Sequence, residues 1–191
     1  MDNTKKDAMK KTILIVEDID NHFKGIKTIL NNNNFDVLPL SLSNERFLSN
    51  ENFIRLIRTI YDTDIEDELI DKSKSELISL ITNVEIGGFI IDYELEQRKS
   101  NCSGVNFYNN FIETNDILKN LPVLFLTGMK GTSLNKVIEF IKRINENRAA
   151  PTAFFMSKDK FSDKQFQDDL ERKINTIFIN YRMPENEREP N

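Results

Sequence analysis

Carboxylates, a hydroxyl and a lysine each follow a short apolar run in this chain, and chemistry is expected where those runs end. Thr12-Ile-Leu-Ile-Val16 stops at Glu17 and Asp18, and Gly88-Phe-Ile-Ile91 stops at Asp92, with Glu94 two positions on. Leu121-Pro-Val-Leu-Phe-Leu126 stops at Thr127, and Ala153-Phe-Phe-Met156 stops at Ser157-Lys158. Three carboxylates brought into one crevice repel each other unless a cation joins them, and a hard divalent ion with oxygen ligands, Mg2+, meets that need. Lys158 adds a further positive charge and Thr127 a hydroxyl donor. Such a set suits phosphoryl transfer, in which metal and lysine neutralise the phosphoryl oxygens while a nucleophile attacks in line. A carboxylate can be that nucleophile and yield an acyl phosphate. Asp92 is the candidate, because its strand is expected in the interior of the sheet.

The elements that must position these groups follow from hydropathy. Continuous runs rich in β-branched residues suit strands buried on both faces, as in parallel sheets. Between them run helical stripes: Ile19, Phe23, Ile26 and Leu30; Val105, Tyr108 and Ile112; Leu134, Val137, Ile138, Ile141 and Ile144; Phe166, Leu170, Ile174, Ile177 and Tyr181. A further strand is expected at Phe35–Leu40. Strands alternating with helices predict an α/β domain, a five-stranded parallel sheet with helices on both faces. Ligands of such sheets bind outside the carboxyl ends of the strands, where the polar groups above fall. The segment at about 41–83 is longer than one crossover helix requires, and its stripes (Phe53, Leu56, Ile57, Ile60; then Ile70, Leu77, Ile78, Ile81) predict an extra helical insertion. The acidic stretch from Asp62 to Glu68 is expected to be a solvated helix start. Residues 1–10 are expected to be a flexible leader, 11–182 the domain, and 183–191 a polar tail.

Composition narrows the function. With 191 residues, 39% of them hydrophobic and 30% charged, the chain can bury a core and is not of disordered type. The net charge of −5 and the scattered basic residues argue against direct nucleic-acid binding. No apolar run approaches the roughly 20 residues of a membrane span, and Cys102 is the single cysteine, so no internal disulfide can form. A cytoplasmic protein is expected.

The residues Ile13-Leu-Ile-Val-Glu17-Asp18, Phe89-Ile-Ile-Asp92, Pro122-Val-Leu-Phe-Leu-Thr127-Gly128 and Phe154-Phe-Met-Ser-Lys158 together resemble the receiver domains of two-component response regulators. The resemblance spans about residues 11–182 without the insertion and implies a flavodoxin-like receiver fold. It implies that Asp18 and Asp92 bind Mg2+ directly, that the Glu94 backbone carbonyl is a third ligand, and that Glu17 acts through water. Asp92 would be the phosphoacceptor, Thr127 and Lys158 would hold the phosphoryl oxygens, and Phe155 would occupy the aromatic switch position. A histidine kinase or phosphotransfer protein is implied as donor. With only a short tail after Tyr181, output is expected through contacts with a downstream protein, as in a stand-alone regulator. Any catalysis would be limited to self-phosphorylation and self-dephosphorylation. Two departures stand out. Asp159 follows Lys158 where receivers usually place proline, and the run from Asp92 to Gly104 is longer than usual and carries Glu94, Glu96, Arg98 and Lys99.

Taken singly, these residues have plainer explanations. Acidic residues after a strand often cap helices, and an aspartate in a loop often makes a turn. Their joint placement at successive strand ends is what points to a site. His22 is expected to face solvent or to cap a helix, and Cys102 lacks the partners of a nucleophile. Two alternatives stay open at this stage. One is a Toprim-like Mg2+-dependent nuclease using Glu17, Asp92 and Glu94, which leaves Thr127 and Lys158 unexplained. The other is a receiver-like module that binds partners without phosphorylation.

Overall fold

A computed structural model describes residues 11–17, 19–40, 75, 86–95, 104–146, 148–158, 161 and 163–179. The leader, the tail and all of the expected insertion but Ser75 lie outside them, as do Asp18, Cys102, Asp159 and Tyr181. In chain order the elements are β1 (Thr12–Val16), α1 (Asp20–Asn32), β2 (Asp36–Leu40), β3 (Ile86–Asp92) and α2 (Gly104–Phe107), which continues as a π-helical turn over Tyr108–Ile112. There follow a 3-10 turn (Leu118–Asn120), β4 (Val123–Thr127), α3 (Thr132–Glu146), β5 (Ala153–Ser157) and α4 (Lys164–Ile174), which ends in a second π-helical turn over Asn175–Ile179.

All five strands pair in parallel, in the order β2-β1-β3-β4-β5. The chain runs outward from β1 to β2, then returns to the other side of β1 with β3. That reversal opens a crevice at the carboxyl ends of β1 and β3. Register fixes what meets there: Val16 pairs with Ile91, Asp92 with Leu126, and Thr127 with Ser157.

The apolar runs make strands because both sheet faces are covered. Ile13, Ile15, Ile90, Leu124 and Leu126 face one core with Phe23, Ile26 and Leu30 of α1 and Phe166, Leu170 and Ile174 of α4. Leu14, Val16, Phe89, Ile91, Val123 and Phe125 face the other, with Phe107 of α2, Tyr108 and Phe111 of the turn after it, and Val137, Phe140, Ile141 and Ile144 of α3. The stripe expected on α3 therefore needs one correction. Ile138 is exposed, and Phe140 takes the buried place, because Val137, Phe140, Ile141 and Ile144 keep the three- and four-residue spacing of one helix face.

At the opposite end of the sheet, ahead of β5, Arg148 acts as a clasp. Its guanidinium donates to the Glu113 carboxylate (2.6 Å) and to Asn120 Oδ1 (3.1 Å), while Tyr108 donates its hydroxyl to Glu113 (2.6 Å). Burial and that hydrogen bond to a carboxylate push the Tyr108 phenol well above its usual range. Asn145 of α3 accepts from the backbone N–H groups of Thr152 (3.0 Å) and Ala153 (2.9 Å), and so anchors the edge strand β5.

Candidate functional site

Glu17 and Asp92 are both buried at the crevice, each side chain with no exposed surface, because the strands that end in them are buried on both faces. Both carboxylates face one ammonium. Lys158, immediately after β5, donates to Asp92 Oδ2 at 2.5 Å and lies 3.6 Å from Glu17 Oε2. Its side chain is only 9% exposed, so the group is a nearly dry cluster of two anions and one cation. Such a cluster holds together only while each partner is present, since desolvation of the charges is repaid by their mutual attraction.

The remaining oxygens are held by backbone. Asp92 Oδ1 accepts from the Glu94 N–H (3.1 Å), and Glu17 Oε1 accepts from the Ile19 N–H (3.0 Å) at the start of α1. Thr127 is fully buried, one position beyond Leu126, the register partner of Asp92. Its hydroxyl oxygen accepts from the Met129 N–H (3.0 Å), which orients the hydroxyl, and its carbonyl accepts from the Lys158 N–H (2.6 Å). The last of these ties the lysine backbone to β4.

Described residues on either side of 96–103 are held by backbone bonds. The Tyr93 N–H donates to the Leu126 carbonyl (2.8 Å), and the Gly104 N–H donates to the Tyr93 carbonyl (3.3 Å). Gly104 starts α2 against the Asp92 backbone: a Cβ there would fall onto the Asp92 carbonyl oxygen and lie 2.5 Å from Ile91 Cγ2. The Glu94 carboxylate comes to 3.7 Å from where a Cβ on Gly128 would stand, so it borders the loop after β4.

Of the residues singled out from sequence, Glu17, Asp92, Thr127 and Lys158 thus meet at one end of the sheet, and Glu94 contributes its backbone there. Asp18 lies outside the described residues. Phe155 sits in mid-β5, half-buried on the α3 face and paired in register with Phe125. His22 departs from its expected solvent-facing role. It is half-buried, 3.7 Å from Glu17 Oε1, and stacks on Phe161 with ring centroids 4.1 Å apart. No pattern in the sequence pairs those two rings, because they belong to elements distant in the chain.

The donor chemistry suits a hard divalent cation. Two buried carboxylates, Glu17 and Asp92, supply hard oxygen donors around one ammonium at the strand ends. Mg2+ commonly binds through one or two carboxylates, with waters and phosphate oxygens completing its shell. Among the described residues, no group of three or more His, Cys, Asp and Glu side chains is placed to hold a metal. Nor is any described helix long and apolar enough to cross a membrane.

No protein-family model matches the sequence, and no curated protein matches it. Solved structures do. The phosphorylated cyanobacterial phytochrome response regulator RcpA superposes with a TM-score of 0.55 at 15% identity, over 92% of this chain and 99% of its own. The Mn2+-bound form of the response regulator Rcp1 gives 0.53 at 16% identity, over 91% and 99%. A response regulator receiver domain from Rhodospirillum rubrum gives 0.52 at 13%, over 91% and 97%. At these identities the likeness is one of fold: the chain has the flavodoxin-like fold of response regulator receivers.

Proposed function

We propose that this protein is a response-regulator receiver that accepts a phosphoryl group on Asp92 in the presence of Mg2+ and signals through protein contacts. The observation that carries this reading is the 2.5 Å contact of Lys158 with Asp92, at the strand-end crevice that Glu17 and Thr127 also line. A carboxylate oxygen of Asp92 attacks the phosphorus of the donor. The new bond makes an acyl phosphate, and the bond to the donor's leaving group breaks with its electron pair.

Lys158 and the Thr127 hydroxyl are the groups that meet the phosphoryl oxygens, and electrostatic stabilisation of this kind is the main lever on phosphoryl transfer. Asp18 and Asp92, with the Glu94 backbone carbonyl, are the proposed direct Mg2+ ligands, and Glu17 would act through water; the ion would supply charge neutralisation and orient the donor. A histidine kinase or phosphotransfer protein is the proposed donor, and the cytoplasm the proposed compartment. The added charge, about two negative units near neutral pH, would shift the Lys158–Asp92 contact and bias the face around Phe155 between two arrangements. The nuclease alternative gives Lys158 no role. The reading is tested by incubating the protein with acetyl phosphate and measuring intact mass. A single phosphoryl adduct that needs Mg2+ and is absent in Asp92→Asn supports it; no adduct at any donor concentration overturns it.

A further inference from the structure

Lys158 is tied to β4 by its backbone, through the N–H bond to the Thr127 carbonyl. Three positions beyond Lys158 stands Phe161, and its ring does not hang in solvent. It stacks on His22 of α1, with centroids 4.1 Å apart and planes 30° from parallel, and on Phe166 of α4 at 4.8 Å. Its edge lies over Gly25 of α1, so closely that a Cβ there would stand 2.8 Å from Phe161 Cε1 and 3.2 Å from Cζ. Gly25 lies in the middle of a helix, where glycine is a poor choice over alanine. The space it leaves is filled by this ring.

We infer that Phe161 is a positioning residue for the phosphoryl-transfer site: its wedge into the Gly25 notch of α1 holds the Lys158 ammonium on Asp92. The inference rests on the reading of Asp92 as phosphoacceptor. Three residues of chain span at most about 11 Å, so a ring seated on α1 restricts where Lys158 can stand. The same ring covers His22, whose imidazole is 3.7 Å from Glu17, so one wedge borders a second partner of the Lys158 ammonium. Misplacement of a catalytic group by about an ångström is enough to cost up to about a hundredfold in rate.

The test uses the full chain and two independent routes to the same defect. Phe161→Ala removes the ring, and Gly25→Ala displaces it while improving the helix. Two quantities are read: the rate of Mg2+-dependent phosphorylation by acetyl phosphate, and the proton–nitrogen correlation signal of the Lys158 ammonium, assigned by its loss in Lys158→Met. Each variant is expected to slow phosphorylation about tenfold and to broaden the ammonium signal into exchange with water. Phe161→Tyr is expected to restore both. In the Phe161→Ala background, Gly25→Ala is expected to slow the reaction no further and to raise the melting temperature, since only the helix benefit remains. A wild-type rate with the ammonium signal in place in Phe161→Ala would overturn the inference. If wild-type protein takes no phosphoryl group at all, the phosphoacceptor reading fails, and the ammonium signal alone decides whether Phe161 positions Lys158.

Discussion

Lys158→Met isolates the electrostatics of the site, because it keeps the side-chain length and removes the charge. In the wild type the ammonium stands 2.5 Å from Asp92 and 3.6 Å from Glu17, with both carboxylates fully buried. At an effective dielectric of about 20, those distances correspond to gross attractions of about 6.6 and 4.6 kcal/mol. Desolvation of the ammonium offsets much of this, and removing one partner of a buried pair typically costs about 3–5 kcal/mol. The lower end, about 3 kcal/mol, is expected because Lys158 keeps 9% exposure to water. For a chain of this size, that loss lowers the melting temperature by roughly 6–12 °C.

Thermal unfolding followed by circular dichroism in EDTA measures the loss. Two further arms make it specific. Adding Mg2+ should stabilise Lys158→Met more than wild type, since the ion replaces the missing charge between the carboxylates and binds only the folded chain. The double variant Lys158→Met with Asp92→Asn should recover part of the loss, because only Glu17 is then left without the ammonium and the Asp92 charge no longer adds to it. A variant as stable as wild type in EDTA, or a double variant no better than the single, would refute the coupling of these three groups.

Other perturbations separate the site from the scaffold. Gly104→Ala should lose at least about 3 kcal/mol, because its methyl group collides with the Asp92 carbonyl and Ile91 and no rotamer can relieve a backbone clash; denaturant unfolding, or failure to recover folded protein, reports it. Arg148→Ala removes the 2.6 Å contact with Glu113 and the bond to Asn120. It should cost about 2–3 kcal/mol yet leave the phosphorylation rate unchanged, since the clasp is at the other end of the sheet. The raised Tyr108 phenol makes stability depend on alkaline pH. Its contribution is complete below about pH 10, the ordinary tyrosine value, and is lost as pH rises towards the higher folded value. Tyr108→Phe should flatten that alkaline fall in unfolding free energy, and an unchanged slope would contradict the cause given.

The sheet and its site are legible in the sequence for one physical reason. Strands covered on both faces must be continuously apolar, so Thr12–Val16, Gly88–Ile91, Val123–Leu126 and Ala153–Met156 announce themselves, and the first polar residue after each marks the carboxyl end of the sheet. The placement of Glu17, Asp92, Thr127 and Lys158 at that end of the sheet is therefore legible from order alone. Helix faces are less exact. Val137 and Ile138 are adjacent and both apolar, and only packing decides that Val137 is buried while Ile138 is exposed. The π-helical turn over Tyr108–Ile112 could not be told from an α-helix by spacing, because its buried Tyr108, Phe111 and Ile112 keep the same three- and four-residue intervals. The His22–Phe161 stack was invisible because it joins α1 to the loop after β5, elements far apart in the chain. Gly25, an unfavourable residue in mid-helix, was the one local signal that something must approach α1 there.

The most direct measurement locates the phosphoryl group itself. Protein treated with acetyl phosphate and Mg2+ is quenched with borohydride, which reduces an aspartyl phosphate to homoserine, and the peptides are mapped by mass. Homoserine is expected at position 92, formed only with Mg2+ and strongly reduced in Lys158→Met. Modification confined to another residue, or none at Asp92 under any condition, would contradict it.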